Sequence, residues 1–229
     1  MKYKKTIVCL ANSRKTSGRC IAGKEIKEIE DLKKVGGWIR PVSARQTREI
    51  SEEERRYEDG SDPVLLDILC IPFEQEAPQT YHPEDQKIDP GERWVSKGKW
   101  SLRKLEDLLD SPDALWSFNQ SSSTSGLNNR VHRSSASGDS LYLVRVDNLV
   151  VFVGKKAQQY PDSRRAVRGE FTYNSIRYRL DVTDPEIERF YLGRQDGQHS
   201  IGTSIITVSR GEPHSDDYCY KLIAAIFKE

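Results

Sequence analysis

The stretch Gly169–Asp184, GEFTYNSIRYRLDVTD, decides the fold class. Phe171 and Tyr173 precede the pair Asn174-Ser175, and Ile176, Tyr178, Leu180 and Val182 follow at every second position. A period of two puts those four on one face of a strand, and Asn-Ser is suited to a tight turn. The segment therefore reads as a β-hairpin with Tyr178 in a core and Arg177 and Arg179 outward. Asp184 before Pro185 reads as the cap of a short helix, DPEIERFYL, with proline at its first position.

Strand signals continue on both sides. KKTIVCLANS, GGWIRPVS, VLLDILCIPF, SLYLVRVDNLVVFVG, TSIITVS and YCYKLIAAIF are all rich in β-branched or aromatic residues. Pro41 cannot donate to a ladder, so GGWIRPVS is an edge strand or ends there. Helical spacing is predicted in three places. KEIKEIEDLKK has apolar residues at 26, 29 and 32; Ser51 caps ISEEERRYEDG, with Gly60 as a stop; Ser101 caps WSLRKLEDLLDSPDALW. NQSSSTSGLNNR is a small-polar loop. Several short strands with few intervening helices suit small barrels better than a parallel doubly wound sheet.

The chain has 229 residues, enough for one large or two small domains. Its net charge of +1 hides a strong asymmetry. Residues 1–48 hold 13 Lys/Arg against 4 Asp/Glu, and residues 49–92 hold 3 against 14. Either the two segments pack together and neutralise each other, or the basic one meets a phosphate-bearing ligand. The apolar run Thr6–Ala11 is too short for a signal-peptide core, and no run is long enough to span a bilayer. A cytoplasmic location without membrane contact is expected. Cys9, Cys20, Cys70 and Cys219 lack zinc-ligand spacing. No metal and no cofactor are expected.

IVCLANSRKTSGRCIAGKE, GGWIRPVSAR and YCYKLIAAIF together resemble a bacterial family of dual OB-domain proteins, and LLDILCIPF, LDVTDP and SSSTSGLNNRV resemble its recurring blocks. The resemblance implies a mostly β protein of two OB-like small barrels in tandem. It also implies a role with nucleic acid, in genome defence or nucleic-acid modification, and it carries no catalytic residues with it. The expected division is an N-terminal OB-like domain over 1–98, a helical connection and polar loop over 99–139, and a C-terminal OB-like domain over 140–229.

OB barrels hold oligonucleotides with aromatic rings for stacking and Lys/Arg for phosphates. Two groups supply that material. In the first, Asn12, Ser13, Arg14, Lys15 and Arg19 lie in a small-polar basic segment, followed by Trp38, Arg40 and Arg45. Trp38 and Arg40 share a strand face, opposite Ile39, and either stack a base and clamp a phosphate or form a core ring covered by its arginine stem. In the second, Arg164, Arg165 and Arg168 precede Tyr173 and Arg177. Asn128 and Asn129 in the polar loop have amides able to read base edges.

No histidine lies in a nucleophile or metal motif. The leading expectation is a module that binds nucleic acid or nucleotides without catalysing a reaction alone. Two alternatives remain. One is a nucleotide- or nucleic-acid-modifying enzyme with its site near Asn12–Arg19 and Arg40, which a buried, pKa-shifted Asp or His beside those arginines would favour. The other is an adaptor for a protein partner, with the acidic segment 49–92 as the contact surface.

Overall fold

Extended backbone dominates a computed structural model that describes residues 2–15, 17–29, 32–123, 125–156 and 164–228, the side chains of residues 28, 29, 32 and 33 excepted. The chain divides into two units, Met1–Leu108 and Leu109–Glu229.

The first unit contains β1 (Tyr3–Lys15), β2 (Gly18–Ile29), β3 (Leu32–Val42), α1 (Glu52–Arg55), β4 (Asp67–Glu76), β5 (Asp85–Ile88) and β6 (Val95–Lys99). The strand order β1-β2-β3-β5-β4, with β4 returning to β1, closes a five-stranded barrel. Only the β3–β5 contact is parallel within it. One edge of β4 is shared, with β5 against Phe73–Glu76 and β6 against Asp67–Cys70. Ile7, Cys9, Ile21, Ile39, Leu69, Phe73 and Trp94 fill the interior.

The second unit contains β7 (Arg130–His132), β8 (Leu141–Lys155), β9 (Arg165–Tyr173), β10 (Ile176–Val182), α2 (Pro185–Leu192), β11 (Gly197–Pro213) and β12 (Tyr218–Lys228). Its order β8-β9-β10-β12-β11, closed by β11 against β8, repeats the first barrel strand for strand, again with one parallel contact, β10–β12. Each α-helix falls between the third and fourth strands of its barrel in chain order. This is the closed Greek-key arrangement of the OB fold, mostly β with a few helices. The short β10–β12 seam spans only Asp181↔Leu222 and Val182↔Ile223, and segment 127–132 fills the rest. Leu127 pairs with Arg179, Asn129 accepts from the Lys221 N–H, and β7 pairs with Tyr218–Tyr220.

The hairpin forms as the alternation predicts. Asn174 and Ser175 have φ values of 45° and 64°, the two left-handed residues that a type I′ turn requires. Tyr178 is buried and stacks on Phe171, with ring centroids 5.5 Å apart. Pro41 sits where β3 has left its last β2 pair, Gly23↔Ile39, and has begun to pair with β5, so its missing N–H interrupts no ladder. Asp184 caps α2 with its carboxylate on the Glu186 and Ile187 N–H groups. Ser51 forms a capping box with Glu54.

Three helical expectations are corrected. Lys24–Lys34 is not a helix: residues 24–29 and 32–34 belong to β2 and β3, while Glu30 and Asp31 lie outside the described residues. Cross-strand pairing with β1 and β3 sets the backbone here, and Ile26 is buried from a strand rather than from a helix face. The helix after Ser51 is a single turn that stops at Arg55, well before Gly60. After Ser101 the backbone is a 3₁₀ helix, Leu102–Leu108. Its buried residues, Leu105 and Leu108, are three apart, the repeat of a 3₁₀ turn.

Candidate functional site

The end of the β1–β2 hairpin gathers cations from separate stretches of chain. Arg14 pairs across to Arg19, and Lys15 to Gly18. Gly18 is required there, since a Cβ would stand 2.5 Å from the Ile50 carbonyl oxygen. That close approach lets Arg19 and Ile50 exchange two backbone hydrogen bonds of 2.9 Å, which brings Glu49 and the loop carrying Arg45 against the hairpin. Burial alone would raise the Glu49 carboxyl. Hydrogen bonds from Ser17 and Thr47 and the charges of Arg45 and Lys15 outweigh it and hold the group below its ordinary value. Arg14 and Arg45 are exposed, and Lys15 and Arg19 are half-buried. Asn12 and Ser13 act as fasteners: the Asn12 amide donates to the Pro63 carbonyl at 2.7 Å and the Ser13 hydroxyl to Cys20.

Trp38 is half-buried on β3, with the Lys24 ammonium 5.7 Å from its ring centroid. Arg40 is 6% exposed and turns to a cluster that the sequence did not disclose. Its Nη1 lies 3.1 Å from His82 Nε2, and its Nε lies 3.6 Å from Asp85 Oδ1. Arg48 donates to the other Asp85 oxygen at 2.8 Å and to the Ala77 carbonyl at 3.0 Å. A guanidinium only donates, so the His82 nitrogen facing it is an acceptor. Burial raises the Asp85 carboxyl despite the two arginines. Asp85 and His82 are buried, so this cluster first of all clamps the segment before β5 onto β3, where the Arg40 N–H also bonds Glu84. Its members are scattered over 46 residues of sequence, and no spacing rule joins them.

The charge asymmetry resolves partly by neutralisation. Lys2 pairs with Asp89, Lys4 with Glu92, and Arg40 and Arg48 with Asp85, each a basic-segment residue meeting the acidic segment.

The second sequence group is dispersed. Arg165 donates to the Leu192 and Arg194 carbonyls and to Asp196, clasping the end of α2. Arg168 is buried and donates to the Lys155 and Lys156 carbonyls. The Tyr173 hydroxyl donates to Pro112. Arg177, 62% exposed, and Arg179 grip the two oxygens of Glu170 at 2.5 and 2.6 Å, and Arg179 lies 4.6 Å from the Phe152 ring centroid. Arg164 is exposed beside them in sequence. The loop asparagines are structural. Asn128 donates to the Arg177 carbonyl, and Asn129 makes two hydrogen bonds with Ser122.

Among the described residues no group of three or more His, Cys, Asp or Glu side chains is placed to hold a metal ion, and no helix is long and apolar enough to cross a membrane. A family model described as a dual OB-containing domain matches residues 5–226. No curated protein and no solved structure matches the chain.

Proposed function

From the premise that the chain belongs to the dual OB-containing domain family, we propose that it is a binding module for single-stranded nucleic acid. Phosphates are held at the end of the first barrel's β1–β2 hairpin. The observation that carries this reading is the gathering of Arg14, Lys15 and Arg19 at the hairpin end with Arg45 on the loop paired to it, Lys15 and Arg45 acting on the buried Glu49 carboxylate. OB barrels hold oligonucleotides on a strand face and its flanking loops. The hairpin end is such a loop, and Trp38, on the adjoining strand β3, offers a ring for stacking.

Fluorescence anisotropy with labelled single-stranded DNA and RNA tests it. Replacing Arg14 and Lys15 together by Glu weakens binding about tenfold or more at low salt, since each lost phosphate contact removes counterion-release free energy. Unchanged affinity in that variant, or no binding by the unaltered chain, sinks the reading.

A second reading, a nucleic-acid-modifying enzyme, has one observation in its favour: the raised Asp85 carboxyl beside Arg40, Arg48 and His82. Mass spectrometry of oligonucleotides and nucleotides incubated with the protein tests it. A mass change abolished in Asp85→Asn supports it, and no change in any substrate removes it.

A further inference from the structure

The C-terminal end of α2 presents an aromatic ring to solvent and lays two cations on it. Phe190 is 49% exposed. The Arg194 guanidinium carbon lies 4.5 Å from its ring centroid, and the Lys228 ammonium lies 5.3 Å away. Beneath it Tyr191 is buried and meets Phe190 edge-on, with interplanar angle 90° and centroids 5.1 Å apart, so the exposed ring stands on a packed one. Among the described residues neither Arg194 nor Lys228 forms an ion pair with a carboxylate.

Among the groups that would ordinarily repel an anion here are the carbonyls at the helix end and Asp196, with Glu186 exposed one turn before Phe190. Arg165 answers the first two, donating to Leu192, Arg194 and Asp196 at 2.8 Å each. At the C-terminal end of the helix, Arg194 and Lys228 are therefore the cations placed on the ring to meet an anion. An apolar protein surface would have to desolvate both cations, which is unfavourable without an acid to meet them. A base with its phosphate satisfies every group at once: the base stacks on Phe190 or on the Arg194 plane, and the phosphate meets Lys228.

We infer that the Phe190–Arg194–Lys228 patch is a base-stacking contact for single-stranded nucleic acid, separate from the hairpin end of the first barrel. It rests on the nucleic-acid reading above but not on the residues that carry it. It lies on the helix rather than on a strand face, so neither barrel's strand pattern would reveal it.

The full chain is titrated with labelled 12-mer DNA and RNA as Phe190→Ala, as Arg194→Glu/Lys228→Glu, and as Arg14→Glu/Lys15→Glu. Loss of one stacked base predicts weakening of about 5- to 100-fold in Phe190→Ala. A photoreactive 4-thiouridine oligomer should crosslink to a peptide containing Phe190. If the α2 variants bind as the unaltered chain does while the hairpin variant weakens, this inference fails and the hairpin reading stands. If the α2 variants weaken and the hairpin variant does not, the inference stands and the hairpin reading falls. No binding by the unaltered chain overturns both. Displacement of the oligomer by uridine monophosphate at equal base concentration overturns the assignment to a nucleic-acid strand.

Discussion

In the first barrel the buried carboxylates are answered by cations and hydroxyls. Asp85 lies between Arg40 and Arg48, Asp67 accepts from the Tyr57 hydroxyl at 2.9 Å, and Glu49 accepts from Ser17. In the second barrel three buried cations are answered by backbone carbonyls. Arg210 donates to Ser137 and Gly138, Lys221 to Ser117 at 2.7 Å, and Arg168 to Lys155 and Lys156. The strand order is the same in both. Closure of the barrel thus depends on alternation and turns, while the polar interior is free to differ. In the second barrel Lys221 and Arg210 tie segment 117–138 to the barrel.

The glycines of the second strand in each barrel test that comparison most severely. A Cβ on Gly23 would lie 1.9 Å from the Val8 carbonyl oxygen, a backbone atom that cannot yield. A Cβ on Gly169 would lie 2.4 Å from Ile223 Cδ1, the tip of a side chain that can turn. Gly23→Ala should cost more than about 4 kcal/mol or prevent folding, whereas Gly169→Ala should cost about 1–3 kcal/mol, measured by urea unfolding. Equal costs would break the distinction.

Next in size is Asp85→Ala, which leaves Arg40 buried beside Arg48 without its counter-charge and should destabilise by about 3–5 kcal/mol. Unfolding within about 0.5 kcal/mol of the unaltered chain would show that the cluster contributes little.

The buried charges also set opposite pH responses. Burial, with Arg210 nearby, lowers the Lys221 pKa from 10.5 to about 7. The unfolded chain then binds more protons between those values, so stability rises with pH through that window and the gain is lost as pH falls toward about 7. From about pH 7 to about pH 9 the rise is on the order of 2 kcal/mol, and Lys221→Met should abolish it. For Asp85, whose pKa is raised by burial, the sign reverses: its contribution declines as pH climbs through the folded value. A Lys221→Met variant with the same pH slope as the unaltered chain would contradict the account of the second barrel.

The smallest effect belongs to Glu170→Gln. Its two arginine pairs lie on a solvated strand face, so stability should change by less than about 1 kcal/mol. Releasing Arg177 and Arg179 should strengthen oligonucleotide binding about twofold if that face meets phosphates. Weaker binding would show that the pairs position the face instead.

The barrels were legible because their strands alternate: Ile176–Val182 and the Asn174-Ser175 turn read directly. Helices were less so. Lys24–Lys34 carries a helical spacing that pairing within the β2–β3 hairpin overrules, and the 3₁₀ turn at Leu102–Leu108 shares its leucine pattern with an α-helix. At the site, Arg14, Lys15, Arg19 and Arg45 were visible as basic residues, but the buried Glu49 that Lys15 and Arg45 act on was not, because the Arg19↔Ile50 pairing that places it is a tertiary event. Strand parity placed Arg40 on Trp38's face and could not reveal His82 and Asp85, which arrive through the parallel β3–β5 contact. Arg165 and Arg168 read as ligand contacts because a sequence shows a cation but not the carbonyls that claim it.

The salt dependence of oligonucleotide binding tests the central claim most directly. Affinity is measured against salt concentration for the unaltered chain and for a chain with Arg14, Lys15, Arg19 and Arg45 all replaced by Gln. Each phosphate contact on a single strand contributes about 0.7 to the logarithmic slope, so the variant's slope should be shallower by about 2–3. Identical slopes would mean that the hairpin end of the first barrel does not hold the phosphates.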